Sequence, residues 1–144
     1  MRFKAVTGRR LNEPVQSYIN NCKSDLHLFK DVLKRTLKPD KLHSRKDLLL
    51  QQPVIHWLDN TFNLNVVIIA YLYINNLQCV YDTHSGYCYY AVPDTVRCSH
   101  SKTSLNVVIR VLEFGTTDMM PLYWLRPAYN SFRKTILQET NKRI

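Results

Sequence analysis

Apolar residues recur at intervals of three and four across residues 12–37, which is the spacing of an amphipathic helix. Two helices fit this stretch best, because Asn12 can cap the first and Ser24 or Asp25 can cap a second. The same spacing predicts a further helix downstream, kinked or restarted at a proline. We therefore expect helix to dominate residues 12–62.

The pattern becomes β-branched and aromatic after residue 63. The continuous apolar run at residues 64–74 is typical of a strand covered on both faces, and we predict the core strand there. Residues 77–82 and 87–92 are predicted as two more strands, joined by a Thr-His-Ser-Gly hairpin loop. The sheet is expected to occupy residues 64–125.

The pentapeptide Leu-Asn-Val-Val-Ile occurs twice, at residues 64–68 and 105–109. Because the residues around the two copies do not repeat, we interpret them as two neighbouring core strands and not as a duplicated domain. The second copy opens a fourth predicted strand that runs to residue 114. A short fifth strand is predicted at residues 122–125, and a basic terminal helix at about residues 128–144.

Together these elements predict a single α+β domain with N-terminal helices, a four- to five-stranded sheet and a basic C-terminal helix. The length of 144 residues fits one domain that buries its own core. The first residues lack the apolar stretch of a secretory signal, and no apolar run approaches the roughly 20 residues that span a bilayer. We expect a protein of the cytoplasm or nucleus that is not secreted, does not enter a membrane and keeps its cysteines reduced.

The net charge of +9 is concentrated at the two ends of the chain. Residues 1–47 contain 12 Lys or Arg and 5 Asp or Glu, residues 48–125 contain 3 and 5, and residues 126–144 contain 5 and 1. If the two ends are adjacent in the fold, their charges form one face that suits an anionic partner; a solvated face is the alternative. The residues predicted to contact such a partner are Arg9, Arg10, Lys34, Arg35, Lys38, Lys41, Arg45, Lys46, Arg133 and Lys134.

Local motifs for catalysis and nucleotide binding are missing from the sequence. It contains no Gly-x-Ser-x-Gly elbow, phosphate-binding loop, dinucleotide fingerprint, His-Glu-x-x-His helix or EF-hand loop. Five possible zinc ligands fall within a short stretch, but their gaps do not match the paired spacing of structural zinc sites. These residues are Cys79, His84, Cys88, Cys98 and His100. We expect no metal and no cofactor.

Tyrosines are frequent on the predicted sheet, where exposed rings can stack nucleic-acid bases. They are Tyr71, Tyr73, Tyr81, Tyr87, Tyr89 and Tyr90. The predicted sheet carries little positive charge, however, and it lacks the signature of an RNA-recognition motif. We therefore expect any nucleic-acid binding to be electrostatic and to come from the basic terminal segments.

The order of predicted elements supports one family resemblance. A helix leads into Asn63-Leu64-Asn65-Val66-Val67-Ile68, an Asn-x-Asn-hydrophobic strand, and a meander and another buried strand follow. With this order, residues 53–125 resemble the second half of an OTU-type papain-like cysteine protease of the kind found in large viral genomes. The resemblance implies a deubiquitinase-type fold, with Cys22 of the Asn21-Cys22 pair as the nucleophile. The loop that corresponds to the family's catalytic histidine, residues 115–123, contains no histidine.

These observations favour a non-catalytic, basic binding or regulatory protein that acts on a host or viral protein or on a nucleic acid. The small size, the low glycine content and the abundance of Asn, Tyr and Lys suggest a viral origin. The alternative is a degenerate OTU-like or papain-like cysteine protease. In that case Cys22 would need a histidine from elsewhere, and the downstream candidates are His43, His56, His84 and His100.

Overall fold

The structure of the protein, a computed structural model, describes residues 1–6, 13–36, 66–97, 103–115 and 123–142. These ranges contain four helices and one three-stranded antiparallel sheet, so the fold belongs to the α+β class. In chain order the elements are β1 (Arg2–Lys4), α1 (Val15–Thr36), α2 (Val66–Asn76), β2 (Gln78–Asp82), β3 (Tyr87–Ala91), α3 (Leu105–Phe114) and α4 (Leu125–Lys142).

The sheet has the strand order β1-β3-β2, so β3 lies in the centre. The predicted hairpin of β2 and β3 is present, and Val80 and Tyr89 are directly opposite each other in it. Gly86 closes the turn at a φ of 75°, a left-handed conformation that favours glycine, and its N–H donates to the carbonyl of Asp82 at 2.8 Å. On the other side of β3, Lys4 of β1 is opposite Tyr89.

The prediction of four to five strands is wrong for the described residues, where the sheet has three. The predicted core strand at residues 64–74 is replaced by α2 from residue 66 onwards. A continuous apolar run has no period, so it fits a buried strand and a buried helix equally well. Ile69, Ala70, Tyr73 and Ile74 are all buried in α2, which explains why this helix lacks a polar face.

The predicted fourth strand at residues 105–114 is also a helix, α3. Its buried apolar residues Leu105, Val108, Ile109 and Leu112 are spaced by three, one and three residues, as one face of a helix requires. That spacing was visible in the sequence, but the β-branched composition outweighed it. The two copies of the pentapeptide therefore do not form neighbouring strands, because residues 66–68 of the first copy and all of the second are helical.

Other boundaries also differ from the prediction. The two helices predicted within residues 12–37 form one continuous helix, α1, of 22 residues. The C-terminal helix is confirmed but begins at Leu125, so no strand exists at residues 123–125. The strand β1 was not predicted. Residues 37–65, which include the third predicted helix, lie outside the described residues.

The core lies between the sheet and the helices α1 and α4, with Phe29 of α1 at its centre. The ring centroid of Phe29 lies 5.0 Å from that of Phe132 in α4, 5.5 Å from Phe3 in β1 and 5.7 Å from Tyr90 in β3. One aromatic cluster thus joins four elements. Tyr90 also donates a hydrogen bond from its hydroxyl to the carbonyl of Cys22 in α1, at 2.7 Å.

The start of α4 is held by a carboxylate from α3. Glu113 is only 1% exposed, and its two oxygens accept the backbone N–H groups of Trp124, Leu125 and Arg126 at 2.9 to 3.3 Å. The first N–H groups of a helix have no partner within the helix, so a carboxylate at this position satisfies them and opposes the positive end of the helix dipole. Glu113 thereby fixes the position from which α4 runs.

Candidate anion-binding surface

Four of the ten predicted basic residues fall within the described residues. Lys34 and Arg35 lie in the last turn of α1, Arg133 and Lys134 lie on α4, and all four are exposed. The other six, Arg9, Arg10, Lys38, Lys41, Arg45 and Lys46, lie outside the described residues.

The basic residues of α1 and those of α4 lie at different positions along these two packed helices. Trp124, just before α4, donates from its indole N–H to the hydroxyl of Thr36 at 3.1 Å, at the end of α1. Because Phe132 is paired with Phe29, further back along α1, the two helices run antiparallel. Arg133 follows Trp124 by nine residues, about 13 Å along a helix axis. The basic pairs of α1 and α4 therefore do not form one tight cluster.

The two ends of the described chain do meet, at β1. The hydroxyl of Tyr129 in α4 donates to the carbonyl of Lys4 at 2.6 Å, and its ring lies 5.1 Å from that of Phe3. Burial raises the pKa of Tyr129, and the nearby charge of Arg133 opposes that rise. Arg133 therefore lies near the Lys4 end of β1, so this contact brings one basic residue from each end of the chain to the same edge of the sheet.

Two basic residues at this edge of the sheet, Arg2 and Lys4, were not among the ten that the sequence predicted to bind a partner. The guanidinium carbon of Arg2 lies 3.9 Å from the ring centroid of Tyr89, and the ammonium nitrogen of Lys4 lies 3.7 Å from that of Tyr87. Both are cation–π contacts between neighbouring strands. The polar-apolar-polar alternation of residues 2–4 was the available signal, but three residues are too few to predict a strand.

A further lysine on α1, Lys30, lies close to Lys34. Lys30 lies one turn before Lys34, and burial, followed by the charge of Lys34, lowers the pKa of Lys30. Two lysines at this spacing lie on the same side of the helix and repel each other. An anion placed between them would relieve that repulsion.

Comparison of the chain with protein-family models, curated proteins and solved structures found no match. Among the described residues, no helix combines the length and the apolar character that a bilayer crossing requires.

The proposed nucleophile of the protease alternative, Cys22, lies in the core. Its side chain is fully buried in α1, and burial, with a further contribution from neighbouring Cys88, raises the pKa of its thiol. Cys79 of β2 is also near Cys88, and burial raises the pKa of Cys79 to about 12. A raised pKa disfavours the thiolate, which is the form that acts as a nucleophile.

The described histidines and the possible metal ligands do not form a site. His27 and His84 are exposed on α1 and on the hairpin loop, and neither is among the groups that perturb the pKa of Cys22. Within the described ranges no three His, Cys, Asp or Glu side chains are placed to hold a metal ion. Cys98 and His100 lie outside those ranges.

We expect Cys22 to resist modification in the folded protein, because its thiol is buried and its pKa is raised. Iodoacetamide at pH 7.5 should leave the Cys22 peptide unmodified in native protein and alkylate it fully in guanidinium chloride, as measured by mass spectrometry. The unfolded sample is the control for intrinsic reactivity. Rapid alkylation of Cys22 in the folded protein would support the protease alternative instead.

Proposed function

We propose that the protein is a non-catalytic, basic binding protein and that its partner is a nucleic acid. The observation that carries this proposal is the contact of Tyr129 with the backbone of Lys4, which brings basic residues from the two ends of the chain to one edge of the sheet. The composition also favours a viral protein that acts in the cytoplasm or nucleus.

The physical basis is neutralisation of phosphates. Each Lys or Arg that contacts a phosphate releases condensed counterions, so a protein of net charge +9 gains affinity for nucleic acid at low salt. Arg133 and Lys134 are exposed on α4, and Lys4 is exposed on β1. A phosphate backbone that follows this edge can therefore contact both elements.

A nucleic acid is favoured over a protein partner because the surface carries few apolar contacts of the kind that dominate protein interfaces. Leu137 is 45% exposed on α4, but its neighbour Ile136 is buried, and Gln138 and Glu139 are polar or charged. Protein interfaces draw most of their affinity from buried aromatic and aliphatic residues. A basic edge next to exposed polar residues suits a polyanion better.

The experiment is a titration of a fluorescent oligonucleotide at 50 mM and 200 mM salt, with the double variant Arg133→Glu/Lys134→Glu. We expect wild-type affinity to fall steeply with salt, by a logarithmic slope of roughly 0.7 to 0.9 for each phosphate contact. The double variant should bind more weakly, and the magnitude of its logarithmic salt slope should be smaller by about 1.5.

The matched control is Lys23→Glu, tested alone and compared with Arg133→Glu alone. Lys23 is exposed and lies near Cys79 of β2, at the opposite edge of the sheet from β1 and α4. Lys23→Glu should weaken binding less than Arg133→Glu although both change the net charge by two. Absence of binding by the wild type at 50 mM salt would reject a nucleic-acid partner.

The alternative function, an OTU-like cysteine protease, has weaker support. It needs a reactive thiolate at Cys22, whereas that side chain is fully buried and its pKa is raised. A binding role requires no such group and uses the basic residues that are exposed.

A further inference from the structure

The two faces of the sheet differ in chemistry. Cys88 and Tyr90 of β3 are buried and face the helices, whereas Tyr87 and Tyr89 lie on the other face and are partly exposed. Because strand residues alternate between faces, the register places Arg2 and Lys4 of β1 on the same outer face as these tyrosines. Val80 of β2, opposite Tyr89, is 50% exposed there.

The outer face thus combines aromatic rings with positive charge. Arg2 and Lys4 are exposed, and their charged groups lie over the rings of Tyr89 and Tyr87. The prediction from sequence gave the sheet no role in nucleic-acid binding because the predicted sheet lacked positive charge. The strand β1 supplies that charge at the edge nearest to α4.

One acidic residue of this face, Asp82, is directly opposite Tyr87 in the register of β2 and β3. Asp82 is at the end of β2, the edge opposite β1, and its carboxylate accepts the backbone N–H of His84 at 2.9 Å. That hydrogen bond is the main cause that lowers the pKa of Asp82, and the charge of Arg2 contributes to the lowering. The face is therefore positive along β1 and negative at the end of β2 beside Tyr87, so a phosphate backbone is expected on the β1 side of the two rings.

The distance between the rings of Tyr87 and Tyr89 favours a single-stranded nucleic acid over a duplex. Tyr87 and Tyr89 are two residues apart on one strand, which places them about 7 Å apart. Stacked bases in duplex DNA are about 3.4 Å apart along each strand. Two neighbouring bases can therefore stack on the two rings only when the nucleic acid is extended and unpaired.

The cations now over the rings do not block such a ligand. An exposed cation–π contact corresponds to roughly a 2- to 5-fold effect on an equilibrium, whereas stacking one base on an aromatic ring corresponds to roughly 5- to 100-fold. Replacement of the cation on each ring by a stacked base is therefore favourable. Once displaced, Arg2 and Lys4 are free to contact the phosphates that link the stacked bases.

We propose that the outer face of the sheet is a stacking surface for single-stranded nucleic acid, with Tyr87 and Tyr89 contacting bases and Arg2 and Lys4 contacting phosphates. This inference rests on the proposed function and adds a second nucleic-acid-binding surface, next to the basic residues of α4. The ligand class is an extended single strand of RNA or DNA.

The test compares Tyr87→Leu/Tyr89→Leu with the ring-preserving control Tyr87→Phe/Tyr89→Phe. Affinity for a single-stranded oligonucleotide should fall by roughly 25-fold or more in the leucine variant and change by less than about 2-fold in the phenylalanine variant. Affinity for the matching duplex should be nearly the same in both. Circular dichroism and thermal unfolding establish that each variant is folded.

Failure of this inference is distinguishable from failure of the proposed function. If the leucine variant binds the single strand like the wild type while Arg133→Glu/Lys134→Glu binds poorly, the sheet face is not the site and the proposed function stands. If the wild type binds neither form at low salt, both are rejected.

A second measurement serves if the leucine variant does not fold. The wild-type protein is irradiated with a single-stranded oligonucleotide that contains 5-bromouracil, and the crosslinked peptides are identified by mass spectrometry. Crosslinks at Tyr87 or Tyr89 are expected. Crosslinks confined to α1 and α4 would overturn the stacking proposal.

Discussion

Replacing Glu113 with alanine is expected to lower the free energy of unfolding by about 3–5 kcal/mol. The buried carboxylate accepts the N–H groups of Trp124, Leu125 and Arg126, and alanine leaves those donors without their acceptor. Each buried donor that loses its partner costs about 1–3 kcal/mol, and the loss of the negative charge at the helix start adds to that cost. Chemical denaturation measured by circular dichroism gives the change directly.

The controls for this result separate the hydrogen bonds from the charge. Glu113→Gln keeps one oxygen acceptor but removes the negative charge, so we expect an intermediate loss of stability. Glu139→Ala removes an exposed carboxylate near the other end of the same helix and should change the stability by less than about 0.5 kcal/mol. A loss for Glu113→Ala as small as that for Glu139→Ala would mean that Glu113 does not anchor α4.

Replacing Phe29 with alanine is expected to cost about 3–5 kcal/mol of stability, the usual range for a fully buried phenylalanine. The side chain has no exposed surface, and its ring contacts those of Phe3, Tyr90 and Phe132. Alanine would leave a cavity at the point where α1, α4 and the sheet meet. Thermal or denaturant unfolding of the variant measures the loss.

A matched control is available on α4. Leu137→Ala also shortens a large apolar side chain, but Leu137 is 45% exposed, so we expect a loss below about 1 kcal/mol. Phe29→Leu should fall between the two, because leucine fills part of the cavity. Equal losses for Phe29→Ala and Leu137→Ala would contradict the placement of Phe29 at the centre of the core.

The helix α1 was predictable from the sequence because it has a polar face, whereas α2 was not, and α3 was predicted as a strand although its helical spacing is present in the sequence. In α1 the buried residues Tyr18, Cys22, Leu26 and Phe29 recur at four, four and three, against a polar remainder. In α2 no polar face exists to reveal the period, and the β-branched residues favoured a strand. Burial by surrounding elements overrides such local preference, and it is not visible in a single sequence.

The candidate site was predictable in its charge but not in its geometry. Counting charges identified the two basic ends, including Arg133 and Lys134. The pairing of β1 with β3, which brings Arg2 and Lys4 over the tyrosines, is a contact between residues almost ninety positions apart. Such long-range pairing depends on the whole fold, so the sequence pattern favoured binding by the basic terminal segments over stacking on the tyrosines.

The same limit applies to the cysteines. Their spacing in the sequence argued against a structural zinc site, but it gave no sign that Cys22, Cys79 and Cys88 meet in the core. They meet because α1 packs on the buried face of the β2–β3 hairpin, where Tyr90 donates to the carbonyl of Cys22. Burial then accounts for the raised pKa values of Cys22 and Cys79 and for the low reactivity that we expect of Cys22.

The most direct test of the central claim, that a nucleic acid binds the basic edge and the adjoining sheet face, is chemical-shift mapping by nuclear magnetic resonance. A ¹⁵N-labelled sample is titrated with a single-stranded oligonucleotide at low salt. We predict that the largest amide shifts occur at Arg2–Lys4, Tyr87–Ala91 and around Arg133, and that they reverse when salt is added. Shifts that cluster on α3 around Val107, or no shifts at all at low salt, would contradict the claim.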